Sequence, residues 1–241
     1  MCYVIGIRIP KKQTVKVGNK DLDIDMVNIP AQSGFAYKSY PVIYTPKNTE
    51  ALTPTMMHWE LLPNWVPNQK ELTESRKKYN TLNIKSETIF DNKVAQAVVH
   101  LQRCLVPVSY FFEWQDIEKQ KIPHCISVKS SNPFFMAGVW NEWKDHTSGQ
   151  VIQSFGIITT AANPMMEKIH NTKKRMPTIL NADLADAWMQ PHITTNQIQE
   201  IASHAISEEA LTAHTIKKDF LQSDDPTTPQ TYTIFSSQSL F

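Results

Sequence analysis

Glycine is scarce in this sequence, with six residues in 241, at positions 6, 18, 34, 138, 149 and 156. No two are spaced as G-x-G, so no glycine turn can cradle a phosphate, and Rossmann or P-loop nucleotide chemistry is excluded. Cysteine is scarcer, three residues without a C-x-x-C pair, which makes no disulfide framework. Eight histidines contain no H-x-x-x-H or H-E-x-x-H spacing, so neither a metal nor a cofactor is expected. Long apolar runs are missing too: the stretches at 104–108 and 134–140 fall far short of the ~18 residues a membrane span needs. No charge excess exists, since 24 Lys and Arg face 23 Asp and Glu, and any nucleic-acid affinity has to come from a local patch. The start, Met-Cys-Tyr-Val-Ile with basic residues only later, reverses the order of a secretory signal, and a reducing cytoplasm is expected.

What is present reads as one domain. Residues 3–9 are β-branched and end at Pro10, which suits a strand beginning almost at the terminus. Prolines at 30, 41, 46, 54, 63 and 67 break residues 29–67 into short extended pieces, one at 56–62. Phe90, Val94, Val98 and Leu101 are spaced like one helix face and predict a helix over 86–102. Short strands follow at 104–108, 110–114, 125–128, 134–143 and 151–160. Asn163-Pro164, Asn181, and Thr194 with Gln197 carry the signatures of helix N-termini. The expected fold is α+β, a single domain over 1–222 whose β-rich core of short, mostly antiparallel strands is distorted and barrel-like, flanked by helices. Residues 223–241 are polar and turn-forming, and a loosely held tail is expected there.

Four positions invite chemistry. Removal of Met1 would leave Cys2 with an α-amine and a thiol on one carbon, both partly nucleophilic near neutral pH. Such a 1,2-aminothiol captures an aldehyde as an imine and then closes a thiazolidine. A chance cysteine at the start of a strand would look the same. Glu113, in Tyr110-Phe111-Phe112-Glu113-Trp114, shares a strand face with Phe111, and partial burial there would raise its pKa and make it a general acid; an edge-strand surface glutamate is the plain alternative. His170 opens a turn with Lys173, Lys174 and Arg175, a mixture that suits an anion or a solvated basic loop. Asn83 precedes the predicted helix, where it either helps to bind a phosphate or simply caps. Trp59 and Trp65 can stack on unpaired bases or fill a core.

Taken in order, Met1-Cys2, residues 59–65, Asn83 to Thr88 with its Glu87-Thr88, Arg103 to Pro107, Phe112-Glu113-Trp114, Ala137 to Trp140, Ile169-His170 and Arg175-Met176-Pro177 resemble the SRAP family, the SOS response-associated peptidases understood as abasic-site processing proteins. The resemblance runs to about residue 190. It implies a covalent sensor of abasic sites in single-stranded DNA, with mature Cys2 forming a thiazolidine to the ring-opened sugar. It also implies roles: Asn83 positions the amine or the sugar, Glu113 protonates the ring oxygen, and His170 polarises the sugar hydroxyl. Trp59, Trp65, Lys85 and Arg175 would contact DNA, and the protein would act as a monomer at the bacterial nucleoid.

Three positions depart from the family pattern: Tyr3 and Glu60 stand where glycine is usual, and Lys85 where arginine is usual. Tyr3 places bulk beside the nucleophile, Glu60 is expected to repel phosphate between the tryptophans, and Lys85 loses the bidentate fork. Two other classes of function fit the same residues. One is a Cys2-dependent peptidase, at minimum releasing Met1; the other is a noncovalent single-strand binder in which Cys2 is inert.

Overall fold

A computed structural model describes residues 2–233. Its strands are β1 (Val4–Ile9), β2 (Gln13–Val17), β3 (Lys20–Ile24), β4 (Val27–Ser33), β5 (Ser39–Tyr44), β6 (Thr53–Trp59), β7 (Asn83–Lys85), β8 (Arg103–Val108), β9 (Tyr110–Ile117), β10 (Gln120–Val128), β11 (Phe134–Lys144), β12 (Val151–Ala161), β13 (Arg175–Pro177), β14 (Ile179–Leu180) and β15 (Leu211–Thr215). The α-helices are α1 (Gln69–Arg76), α2 (Pro164–Ile169), α3 (Ala182–Met189) and α4 (Thr195–Ala202). No helix among the described residues is long and apolar enough to cross a membrane.

Five strands close a ring. β6 pairs with β5, β5 with β8, β8 with β11, β11 with β12, and β12 returns to β6 through the ring's one parallel joint, Ser154 to His58 and Phe155 to Trp59. Closure removes the unpaired edges that an open sheet would expose. A second, antiparallel sheet, in the order β15-β10-β9-β1-β4, lies beside it. Ser109 alone separates β8 in the barrel from β9 in the second sheet, and its N–H donates to the Gly6 carbonyl at 2.8 Å. Every residue of β8 is buried, as expected of a strand covered on both faces.

Close approach at the barrel wall uses a glycine. A Cβ on Gly138 would lie 2.8 Å from Cys104 Sγ and 3.2 Å from the Gly156 carbonyl, so only hydrogen fits without movement. Beside it the buried Trp188 of α3 donates its indole N–H to the Cys104 and Gly138 carbonyls, both at 3.2 Å. The three helix starts legible in the sequence are present. The side chains of Asn163 and Asn181 accept from the amides of Met166 and Leu184, and Thr194 with Gln197 forms a capping box.

Two expectations are corrected. Residues 86–102 form no α-helix: a short 3₁₀ turn (Ser86–Thr88) is followed by separate turns with isolated bonds such as Gln96 N to Asn92 O and Gln102 N to Val98 O. The Asn92 side chain takes the amides of Val94 and Ala95, diverting the backbone from a continuous ladder. The apolar spacing still meets the core through Val94 and Val98, while Leu101 is exposed. The segment after Ser223 is also better held than expected. Arg8 pairs with Asp225 at 3.0 Å, Gln230 N–H donates to the Thr215 carbonyl at 2.9 Å, and the Tyr232 hydroxyl donates to the Ile216 carbonyl at 2.7 Å. Residues 234–241 of the expected tail lie outside the described residues.

Candidate active site

The site begins where β1 pairs with β9, Val4 opposite Phe112 and Ile5 opposite Phe111. One step along β9 from Phe112 is Glu113, so the pairing brings the start of the chain alongside this carboxyl. Alternation along β9 sends Phe112 and Trp114 toward Phe220, at ring distances of 4.6 and 5.8 Å, while Phe111 joins the main core that contains Cys2. Cys2 is fully buried, with Sγ 4.0 Å from the Val4 carbonyl. Burial, reinforced by the Glu113 carboxylate, pushes its thiol well above the ordinary value.

His170 arrives from the end of α2, whose helical bond from His170 N–H to the Met166 carbonyl, 2.7 Å, fixes its backbone. The following turn is tied to β9: Asn171 Nδ2 donates to the Asp116 carbonyl at 2.8 Å and its Oδ1 accepts from the Asp116 N–H at 3.0 Å. His170 Nδ1 lies 2.9 Å from the Arg175 carbonyl, which can only accept. The ring proton therefore sits on Nδ1, and Nε2 presents a lone pair 3.8 Å from Glu113 Oε2.

Burial disfavours charge on both partners, holding the Glu113 carboxyl up at about 8 and the His170 ring down at about 4. At neutral pH the pair is a protonated carboxyl facing a neutral imidazole. Such an arrangement offers a proton from Glu113 and a hydrogen-bond acceptor from His170. A cleft of about 490 Å³ opens over the pair, lined by Tyr3, Trp114, Lys121, Thr172 and Lys173 as well as Glu113 and His170. Lys173 brings a cation to its mouth, while Lys121 is paired with Asp116 at 2.8 Å. Lys121 and Thr172 carried no signal in the sequence beyond residue type, because the hairpin and turn that bring them to the cleft are far apart in the chain.

Asn83 is buried on β7 beside Ile157 of β12, and neither atom of its amide finds a hydrogen-bond partner among the described residues. Lys85, two residues on, is exposed. Arg175 turns inward: its guanidinium reaches Glu87 at 2.5 Å and the Thr159 carbonyl at 2.5 Å, while its own carbonyl orients His170. In this arrangement it braces the site, and its guanidinium is not presented to the cleft.

Of its two readings, Trp59 takes the core one. It is 0% exposed, its indole N–H donates to the Leu82 carbonyl at 3.1 Å, and its ring lies against Phe155, so no base can reach it. Trp65 does stand exposed, on the turn after Pro63. Glu60 is corrected. It faces inward, 4% exposed, and takes a two-pronged bond from Arg76, from Nη2 at 2.6 Å and Nε at 3.0 Å, with His58 Nε2 at 3.3 Å. It presents no charge to a phosphate.

A closed five-stranded barrel joined to a second sheet, with a buried acid–imidazole pair under a cleft and a cysteine at the second position, defines a single-domain α+β protein. A match to the SOS response associated peptidase (SRAP) family covers residues 6–222, and the chain belongs to that family. It is similar to the Bacillus subtilis abasic site processing protein YoaM, 34% identical over 140 residues, 58% of this chain and 57% of that one. It is also similar to the Xenopus tropicalis abasic site processing protein HMCES, 29% identical over 147 residues, 54% of this chain and 42% of that one. The chain thus spans little more than half the length of YoaM and less of HMCES. A crystal structure of a Bacteroides thetaiotaomicron protein, 32% identical, superposes with a TM-score of 0.73 over 83% of this chain and 82% of that one.

Proposed function

We propose that this chain processes abasic sites in single-stranded DNA by forming a covalent thiazolidine between mature Cys2 and the ring-opened sugar. The observation that carries the reading is the neutral Glu113–His170 pair, 3.8 Å apart, beneath the cleft at the start of the chain. The named activity of YoaM and HMCES, abasic site processing, points the same way.

Protonated Glu113 gives its proton to the ring oxygen as the C1–O bond breaks, and the anomeric hydroxyl releases its proton to water as it becomes the aldehyde carbonyl. The Cys2 α-amine, freed by loss of Met1, adds to that carbonyl and water leaves, giving an imine. The thiol then adds across the C=N bond, its sulfur to carbon and its proton to nitrogen, closing the five-membered ring. His170 accepts a hydrogen bond from a sugar hydroxyl through Nε2, and Asn83 meets the amine or the opened sugar with its open amide valences. A peptidase built on Cys2 fits less well, since it needs a thiolate beside an imidazolium, whereas burial here raises the thiol and lowers the imidazole.

The test is a denaturing gel with an abasic single strand, followed by intact mass. Wild-type protein should give a band stable to denaturant, at the summed mass of Met1-less protein and DNA less one water. Cys2→Ala should lose that band and keep reversible binding. A wild-type protein that binds the strand reversibly and never cross-links is a noncovalent binder and refutes the proposal, as does cross-linking by a chain that retains Met1.

A further inference from the structure

Trp59 is buried, but Tyr3 lines the cleft and the exposed Phe35 stands against it. Tyr3 sits there beside Glu113 and His170, and its ring centroid lies 4.7 Å from that of Phe35, which is 53% exposed. We propose that Tyr3 and Phe35 form a stacking ledge for the unpaired nucleobase that adjoins the abasic sugar. This rests on the DNA reading above and adds a specificity-determining surface to it.

The ledge is built and held. Gly34 N–H donates to the Tyr3 carbonyl at 2.8 Å, which pins the turn carrying Phe35 (Gly34–Ala36) to the start of the chain. A Cβ on Gly34 would come within 3.1 Å of Leu82 and 3.2 Å of Trp59, so the buried tryptophan supports this turn from beneath. Asn80 Nδ2 donates to the Tyr3 hydroxyl at 3.3 Å. At the turn's far end Tyr37 takes a left-handed backbone, φ 51°, and the Arg76 guanidinium lies 3.8 Å over its ring. A large exposed aromatic fixed this firmly loses little entropy when a planar partner covers it. Lys173 lines the same cleft and supplies a charge complement to the phosphates that would flank such a base, with Lys121 beside it held by Asp116 at 2.8 Å. A base offers the ring face that the ledge matches, and stacking of this kind tolerates every base while favouring larger ones.

The experiment uses single strands carrying tetrahydrofuran, an abasic analogue that cannot open to an aldehyde, with 2-aminopurine as the neighbouring base. Wild-type protein should quench the 2-aminopurine and bind a purine-flanked strand roughly ten- to a hundredfold more tightly than one whose neighbours are also abasic. Phe35→Ala, at an exposed position, and Tyr3→Leu should each reduce the quench and that preference, the double variant should abolish both, and Tyr3→Phe should restore them. Circular dichroism confirms that the variants fold. A double variant that folds and keeps the wild-type quench and preference overturns the ledge, as does a wild type that binds without quenching. A parallel cross-linking gel on a true abasic strand separates the two claims. Cross-linking without a ledge effect leaves the function standing, quenching without cross-linking leaves the ledge standing, and loss of all binding refutes both.

Discussion

Glu60 and Glu113 are buried to nearly the same extent, 4% and 3% exposed, and the two regions around them drive their protons in opposite directions. Burial would raise Glu60, but hydrogen bonds and charge from His58 and Arg76 outweigh it and hold the carboxyl below its ordinary value. Around Glu113 burial outweighs the chain's amino terminus and the Trp114 backbone amide, which pull the other way, and the neighbouring His170 is itself discharged by burial. Degree of burial therefore does not decide the state of a carboxylate. The balance between burial and the summed charges and hydrogen bonds around it does. One region has become a structural tie between α1 and the end of β6; the other keeps a proton ready at a cleft.

The sharpest way to break this contrast is to neutralise each carboxyl in turn and follow the chemistry. Glu113→Gln keeps the shape and removes the transferable proton, so cross-linking to an abasic strand should slow by roughly 10²–10⁴-fold in a gel time course. Glu60→Gln should stay within a fewfold of wild type. Equal slowing by both would mean that Glu113 acts only through the fold.

Stability should reverse the order. Glu60→Gln leaves Arg76 without its carboxylate, and a loss of about 2–3 kcal/mol is expected in urea or thermal unfolding at pH 7, discounted because Arg76 is partly exposed. Glu113 behaves the other way. Its folded pKa lies above the ordinary 4.5, so the native state holds the proton that the unfolded chain has released, and stability falls as pH rises from about 4.5 to about 8. His170, ordinary value 6.5 and about 4 when folded, adds stability as pH rises between those values and offsets the fall below pH 6.5. The net decline should therefore concentrate between pH 6.5 and 8. Glu113→Gln should remove it, unfolding about 2–4 kcal/mol less readily than wild type at pH 8 and nearly equally at pH 4.5.

A smaller effect is the pH dependence of the rate. Wild-type cross-linking should lose its acid as pH passes about 8 and fall up to tenfold per unit beyond it. Glu113→Gln should lack that limb, and a wild-type profile flat from pH 7 to 9 would remove Glu113 as proton donor. Smallest of all, Lys173→Ala and Lys85→Ala should each lower the log–log salt slope of single-strand binding by about 0.7 if each holds one phosphate. An unchanged slope for Lys173 would place the phosphate path outside the cleft.

Much of the architecture was legible in local chemistry. An asparagine three residues before an amide, a proline at a first helical position and a Thr/Gln pair specify helix starts through contacts within one turn, and all three helices begin there. The β-branched run behind Cys2 and the alternation around Glu113 likewise located β1 and the inward face of β9. Residues 86–102 show the boundary of such reasoning, since their apolar period identified a buried face but the Asn92 side chain decided the hydrogen bonding.

The sequence by itself determined which groups can do chemistry here: an aminothiol in waiting at Cys2, an acid among aromatics at Glu113, an imidazole at His170. Only the tertiary structure decided their states and their company. Trp59 and Glu60, which a linear reading sets on the DNA-facing side, are turned inward because β6 closes the barrel against β12 and α1 brings Arg76 across to Glu60. Tyr3 and Phe35 meet because the turn after β4 folds back on the start of β1. Pairing of strands and desolvation are sums over neighbours distant in the chain, and no local pattern contains those neighbours.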